Sequence, residues 1–434
     1  MKLFGTSRGN NNGNLEIGNC DTLELANEFG TPLYVMDEEM IRKNCKMFKE
    51  NFIMEDIETE VIYASKAFLN LSMCKLIEEE NLSIDVVSGG ELYTVLKANF
   101  PPNKIYMHGN NKTRDELILA INNGVRRIIV DNIQEIIKIE NLCTTLGKKI
   151  DILLRVNPGI EAHTHEYIQT SKNDSKFGIS IFQNEIYEAI NLLKESENIC
   201  LKGFHCHIGS QIFEENSFYS LTLEMLEFLN EIKVDYGFIT QELNLGGGFG
   251  VYYYHGDAPI ELQDCLQSML SIIKNKCNEI DIKIPKIMIE PGRSIVANAG
   301  TTLYTVGGTK KTFGGKHFVF IDGGMTDNPR TALYDAKYEG VIANKLNFNN
   351  TNTYTIAGKC CESGDIIIKD IGLPIVETDD ILAVFSTGAY NYSMSSNYNR
   401  IPKPAVIFVN KGQCKLVVKR ETFEDIVRND MALA

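Results

Sequence analysis

The chain has 434 residues, of which 44% are hydrophobic and 23% charged, enough to bury a large core with room for a second, smaller domain. Its formal net charge of −14 argues against a surface for nucleic acid or anionic membrane, since phosphate attraction needs clustered lysine and arginine. No apolar run approaches the ~18–20 residues of a membrane-spanning helix, and eleven cysteines without regular spacing suggest reduced thiols, hence a cytoplasmic protein, more than a disulfide frame.

In chain order, the opening MKLFGTSRGNNNGN contains no apolar segment of about 7–15 residues, so no secretory signal is expected. The stretch up to TPLYVMD (31–37) reads as extended. Eight short apolar runs follow as predicted strands: VIYAS (61–65), IDVVS (84–88), KIYMH (104–108), RIIVD (127–131), DILLRVN (151–157), GFHCHI (203–208), ELNLG (242–246) and KIMIE (286–290). Amphipathic stretches separate them, among them 72–81, 114–123, 184–195 and 218–232. Apolar strands alternating with helices mean a parallel sheet buried on both faces, and eight such units fit a (β/α)8 barrel over 37–300 better than an open sheet. Beyond about residue 300, short strands with turns and no long helix predict an antiparallel β-domain. This domain, 301–434, is expected to take in residues 1–36.

The polar and glycine clusters sit where barrel active sites form, at the C-terminal ends of strands. Lys66 follows VIYAS between the small residues Ser65 and Ala67, room enough for a bulky ring. His207 and Ser210 lie in HCHIGS, and Gly248 in LGGGFG, a turn whose N–H groups can approach an anion. The spacing is not that of a dinucleotide fingerprint. Glu290, Pro291, Gly292 and Arg293 form EPGR. A lysine for a Schiff base, amides for a phosphate and a glutamate for a ring nitrogen are what pyridoxal 5'-phosphate requires. Each element also has a plainer reading: a solvated lysine, a simple turn, a core histidine, a Glu290–Arg293 ion pair. Arg330 and Tyr334, within DGGMTDNPRTALYDAKY, suit bidentate recognition of a carboxylate. Cys361 and Glu362, in CCESGD, offer a thiol beside a carboxylate. The vicinal Cys360–Cys361 pair lacks a second cluster, so no metal site is expected.

These motifs, with VVSGGEL, GNNKT, NPGIEAHTHEYIQTSKNDSKFG, STGAYNYSMSSNYN and ETFEDIVRND, span nearly the whole chain in order. The chain resembles the fold-type III, alanine-racemase-like pyridoxal-phosphate enzymes and, within them, the diaminopimelate decarboxylase family. The resemblance implies a lyase forming L-lysine and CO2 from meso-2,6-diaminopimelate, the last step of lysine biosynthesis. Lys66 would carry the cofactor, His207 stack on its ring and Glu290 face its nitrogen. Ser210, Gly248, Gly292, Arg293 and Tyr390 would hold the phosphate. Arg293, Arg330 and Tyr334 would grip the substrate's distal carboxylate, with Glu362 taking the ammonium and Cys361 protonating the carbanion. It further implies a homodimer with shared sites, Cys361 and Glu362 coming from the partner, and a mobile cover at 159–176. A racemase of this fold carries arginine opposite the ring nitrogen, so Glu290 favours decarboxylation. The rivals are a decarboxylase for ornithine, arginine or carboxynorspermidine, disfavoured by Arg330 and Tyr334, and a non-catalytic regulatory homologue, disfavoured because Lys66, Glu290 and Cys361 are all present.

Overall fold

A computed structural model describes residues 2–160 and 175–433. Its contacts divide into two compact units. One comprises Cys45–Gly250 and Ala258–Gly292; the other comprises the residues up to Asn44, Val251–Asp257 and the chain from Arg293 onward.

The first unit contains eight strands: β1 (Thr59–Ala64), β2 (Ser83–Val86), β3 (Ile105–Met107), β4 (Arg127–Val130), β5 (Ile150–Asn157), β6 (Ile199–His205), β7 (Glu242–Asn244) and β8 (Lys286–Ile289). Each pairs in parallel with the next, and β8 pairs with β1, Ile289 opposite Val61, which closes the barrel. A short strand, Ile179–Ser180, adds to β5. Helices cross between the strands, as the apolar periodicity predicts. The helix Arg114–Asn123 shows how the sequence sets its limits: Thr113 and Glu116 form a reciprocal capping box, and Gly124 ends it in the left-handed conformation.

Inside the barrel, Ile62, Tyr106, Ile129, Leu153 and Met288 form a buried cluster. At the strands' N-terminal ends, Arg127 grips Glu242 through two hydrogen bonds of 2.7 and 2.6 Å, and Lys286 pairs with Glu60 at 2.7 Å. That end is tied for stability, leaving the opposite end for chemistry.

All eight expected strands are present, but several stop short of the predicted ends. The strands expected to reach 88, 208 and 246 finish at Val86, His205 and Asn244. Polar side chains turn the backbone out of the ladder at two of these points. Ser88 accepts from Glu91 N–H to start the next helix, and Asn244 Oδ1 accepts from Gly246 N–H at 2.9 Å.

In the second unit the main sheet runs Ile366–Leu373, Asn352–Ala357, His317–Ile321, Gly300–Lys311, Leu33–Asp37, Ala405–Asn410, Gln413–Val418. Ile381–Phe385 pairs with both Gly300–Lys311 and Gly340–Ile342. Most pairings are antiparallel, as expected. Two are parallel, so the sheet is mixed: His317–Ile321 with Asn352–Ala357, and Leu33–Asp37 with Ala405–Asn410. Its core includes Leu15, Ile17, Leu33, Val35, Leu303, Phe385, Ile407 and Val409. The N-terminal stretch is not extended throughout. Thr22–Phe29 is a helix, because Asp21 caps Leu23 N–H and Leu25 and Ala26 face the core. Among the described residues, no helix is long and apolar enough to cross a membrane.

Candidate active site

Nearly every barrel strand ends in a group able to do chemistry. Lys66 lies in a single 3-10 turn, Ser65–Ala67, directly after β1, and its side chain is exposed. The turn is anchored by Ser65 N–H donating to Asp85 Oδ1 of β2 at 2.8 Å. Burial, then the charge of Glu290, hold the Asp85 carboxyl well above the usual range, opposed by Lys66. Beside this turn, Ala64 N–H donates to Pro291 O at 3.1 Å, and any side chain at Gly292 would strike Ala64, its Cβ falling 2.7 Å from that of Ala64.

Glu290 follows β8 and is 8% exposed. Its carboxylate accepts from Asn244 Nδ2 at 2.8 Å and contacts His205 Nε2 at 3.1 Å, and His108 Nε2 lies 2.8 Å away. Burial alone would raise its pKa, yet the two histidines draw it well below the usual carboxylate range. Desolvation pushes the imidazoles the other way, His205 down to about 4 and His108 below its ordinary value. The result is a buried carboxylate enclosed by Asn244 and two histidines.

The glycine turn after β7 admits no side chains. A Cβ on Gly247 would lie 2.2 Å from Glu290 O, and one on Gly248, at φ +116°, 2.6 Å from Gly209 O. Two of its N–H groups are spent internally: Gly246 on Asn244, and Gly247 on His207 Nδ1 at 3.2 Å. The Gly248 N–H meets no acceptor among the described residues, as an anion-binding amide should. His207 is half-buried, and desolvation, then Lys66 and Arg155, hold it well below its ordinary pKa. Ser210, also half-buried, follows on the same loop.

The second unit carries a separate cluster. Arg293 donates from Nη1 to Tyr253 Oη at 2.7 Å and lies over the Tyr390 ring at 4.8 Å. Arg330, 7% exposed, donates to Tyr338 Oη at 3.0 Å, and its guanidinium lies 5.0 Å over Tyr253 and 5.9 Å over Tyr334. Among the described residues no ion pair engages Arg330, and its Nε has no hydrogen-bond partner. Burial opposes ionisation of Tyr253, but Arg293 and Arg330 pull its hydroxyl below the ordinary value. Two guanidiniums in a cage of tyrosines make a receptor for an anion. Tyr390, at φ +62°, is half-buried beside Asn391, which accepts from Tyr338. Cys361 and Glu362 are exposed on this unit: Cys361 N–H donates to Asn399 and Gly364 N–H to Glu362. The expected cover at 159–176 falls mostly on 161–174, outside the described residues.

His108, His205, Asn244, Asp85, Tyr253 and Tyr338 were not singled out by the sequence reading. For the first four the signal was available, since each lies at a strand's C-terminal end like Lys66 and Glu290. The tyrosines gave no such signal; they reach the arginines only through tertiary contacts.

The lysine, the ionised buried carboxylate and the glycine cradle with its unengaged amide fit pyridoxal phosphate. Residues 38–297 match the family model described as pyridoxal-dependent decarboxylase, pyridoxal binding domain. Over 99% of its length the chain is 51% identical to the diaminopimelate decarboxylase of Bacillus subtilis (strain 168), covering 98% of it. A diaminopimelate decarboxylase from M. jannaschii, solved in complex with L-lysine, superposes with a TM-score of 0.92 at 36% identity, covering 99% of this chain and 98% of that one. The Helicobacter pylori enzyme, also complexed with L-lysine, gives 0.85 at 31%, covering 94% and 98%. The chain belongs to the diaminopimelate decarboxylase family of pyridoxal-dependent decarboxylases.

Proposed function

We propose that this protein decarboxylates meso-2,6-diaminopimelate to L-lysine and CO2 using pyridoxal 5'-phosphate, the closing step of lysine biosynthesis. The observation that carries the substrate assignment is Arg330, buried without an ion-pair partner among the described residues and ringed by tyrosines. A diamine end would call for acidic groups there, whereas a second carboxylate calls for a planar cation.

The cofactor's contribution is an electron sink for the pair released when the bond to CO2 breaks. Lys66 would supply the amine that holds its aldehyde. Glu290, held well below the usual carboxylate range, would favour a proton on the cofactor's ring nitrogen and so sustain the sink. His207, its imidazole fixed by Gly247 N–H, would pack against the cofactor. Ser210, Gly248, Gly292 and Tyr390 bind the phosphate together with the backbone around Pro291 and Arg293. Arg293, Arg330 and Tyr334 would hold the distal carboxylate and Glu362 the ammonium beside it, and Cys361 would serve as the proton donor. Cys361 and Glu362, exposed on their own chain, would be supplied across a homodimer interface to the partner's site, in a protein of the cytoplasm.

Purified protein incubated with meso-diaminopimelate should release lysine and CO2 in equal amounts, and ornithine or arginine should not be turned over comparably. Borohydride should fix the cofactor on the peptide containing Lys66. Labelling of another lysine, or preference for a diamine-ended substrate, would defeat this reading.

A further inference from the structure

Glu290 can serve a ring nitrogen only if it stays ionised and still, and both are difficult for a carboxylate that is 8% exposed. Its support comes from three strands. Asn244, ending β7, donates its amide to Oε1, and His205, ending β6, contacts Oε2 through Nε2. His108, just after β3, comes within 2.8 Å of Oε1 but is poorly aligned for a hydrogen bond, and its ring meets His205 edge-on at 4.8 Å. Asn244 is held in turn by Gly246 N–H.

We propose that His205 is a positioning residue that, as a neutral imidazole donating from Nε2, locks Glu290 in the orientation and charge state its role requires. This rests on the reading of Glu290 given above. The geometry specifies the tautomer. His205 Nδ1 is buried with no hydrogen-bond partner among the described residues. A proton there would be an unsatisfied buried N–H, on a cation or on a tautomer whose Nε2 lone pair faces the Glu290 carboxylate, whereas a bare lone pair at Nδ1 costs less. Nε2 therefore carries the hydrogen and points it at Glu290. Neutrality matters as much as position. A cationic His205 would cancel the negative charge that holds the proton on the ring nitrogen, while a neutral donor orients the carboxylate without spending its charge. The surrounding groups reinforce this state. Arg155 disfavours a second cation at His205, while Glu290 favours one and is outweighed by burial. Lys66 follows β1, which pairs with β8, Asp85 lies on β2 beyond it, and the Cys206 thiol, pushed up by burial, remains uncharged.

His205→Gln retains an N–H donor near the Nε2 position, and His205→Phe retains the ring shape without it. In His205→Phe, kcat should fall roughly 10- to 100-fold with KM little changed, the scale of one hydrogen bond to a charged group. His205→Gln should recover most of that loss. Independently of turnover, apoprotein titrated with pyridoxal phosphate should show weaker binding and a shifted pH dependence of the bound cofactor's absorption for Phe but not for Gln. In wild-type apoprotein, nitrogen-15 NMR should show His205 as the neutral Nε2–H tautomer from pH 5.5 to 8. Glu290→Gln, run in parallel, separates the two readings. If it is crippled while His205→Phe matches wild type in kcat, cofactor binding and spectrum, the positioning role is wrong. If Glu290→Gln is itself as active as wild type, the role of Glu290 falls and this inference with it. A His205 signal titrating near pH 6.5 would also overturn it.

Discussion

Single side chains here are decided by what burial does to charge. Arg330 is the clearest case: buried, it stays cationic against desolvation through the electron-rich oxygens and faces of Tyr253 and Tyr338. Arg330→Lys leaves a charge but loses the planar fork, so kcat/KM for meso-diaminopimelate should drop by about 2–3 kcal/mol, roughly 30- to 150-fold, mostly in KM. The cofactor absorption band should be untouched; its loss would make Arg330 a cofactor or structural residue instead. Tyr253→Phe, which removes the acceptor for Arg293, should shift KM in the same direction by a smaller factor. Asp327 illustrates the opposite balance. Burial, only partly offset by hydrogen bonds from Tyr304 and Gly324, pushes its carboxyl up to about 7. A raised folded-state pKa favours the fold fully below the unfolded value near 3.9 and loses that advantage as pH climbs through 7. Asp327→Asn lacks this dependence. Its melting temperature relative to the parent should rise between pH 4 and 7, by no more than about 4 kcal/mol of stability, and level off above. A difference independent of pH would mean that Asp327 is ionised throughout.

At the scale of elements, what matters is how strands end. β1, β6, β7 and β8 each hand over to a turn in which small residues let backbones approach. Gly247 is the tightest of these, with a virtual Cβ 2.2 Å from Glu290 O and 3.0 Å from its carbonyl carbon. Both are main-chain atoms that cannot swing aside. Gly247→Ala must therefore displace either the glycine turn or the start of EPGR, costing roughly 1–3 kcal/mol or more in stability. Because the displaced atoms belong to Glu290, affinity for pyridoxal phosphate should fall beyond what the drop in melting temperature implies. Gly314→Ala, in a turn where a Cβ meets nothing, is the matched control and should be neutral. Equal effects of the two would remove the argument from close approach. The expected strands were found at every position because apolar β-branched runs are read from neighbouring residues alone. Their ends were misjudged because an Asn244 or Ser88 that turns the chain looks, in sequence, much like one more strand residue.

For the molecule as a whole, the chemistry is divided between two units. Lys66, His207 and Glu290 belong to the barrel unit, while Arg330, Cys361 and Glu362 belong to the mixed-sheet unit. If Cys361 serves the partner's Lys66, Lys66→Ala and Cys361→Ala should each be nearly inactive alone. Refolded together in equal amounts, half the dimers pair one of each and carry one site free of both changes, so activity should return to roughly a quarter of wild type. No recovery despite proven subunit exchange would place each complete site within one chain. The sequence alone determined the barrel, its eight strand–helix units and the order of the chemical motifs. Apolar periodicity records which faces are buried, and glycine, lysine and EPGR clusters mark strand ends whatever packs around them. Tertiary structure decided the rest. It made Leu33–Asp37 a central strand flanked by Gly300–Lys311 and Ala405–Asn410, and it set two parallel pairings into a sheet expected to be antiparallel. It gathered His108, His205 and Asn244 around Glu290, and Tyr253 around Arg293 and Arg330. The reason is common to all of these. A charge state depends on desolvation and on neighbours distant in sequence, and no local pattern records which of them folding will bring within 3 Å.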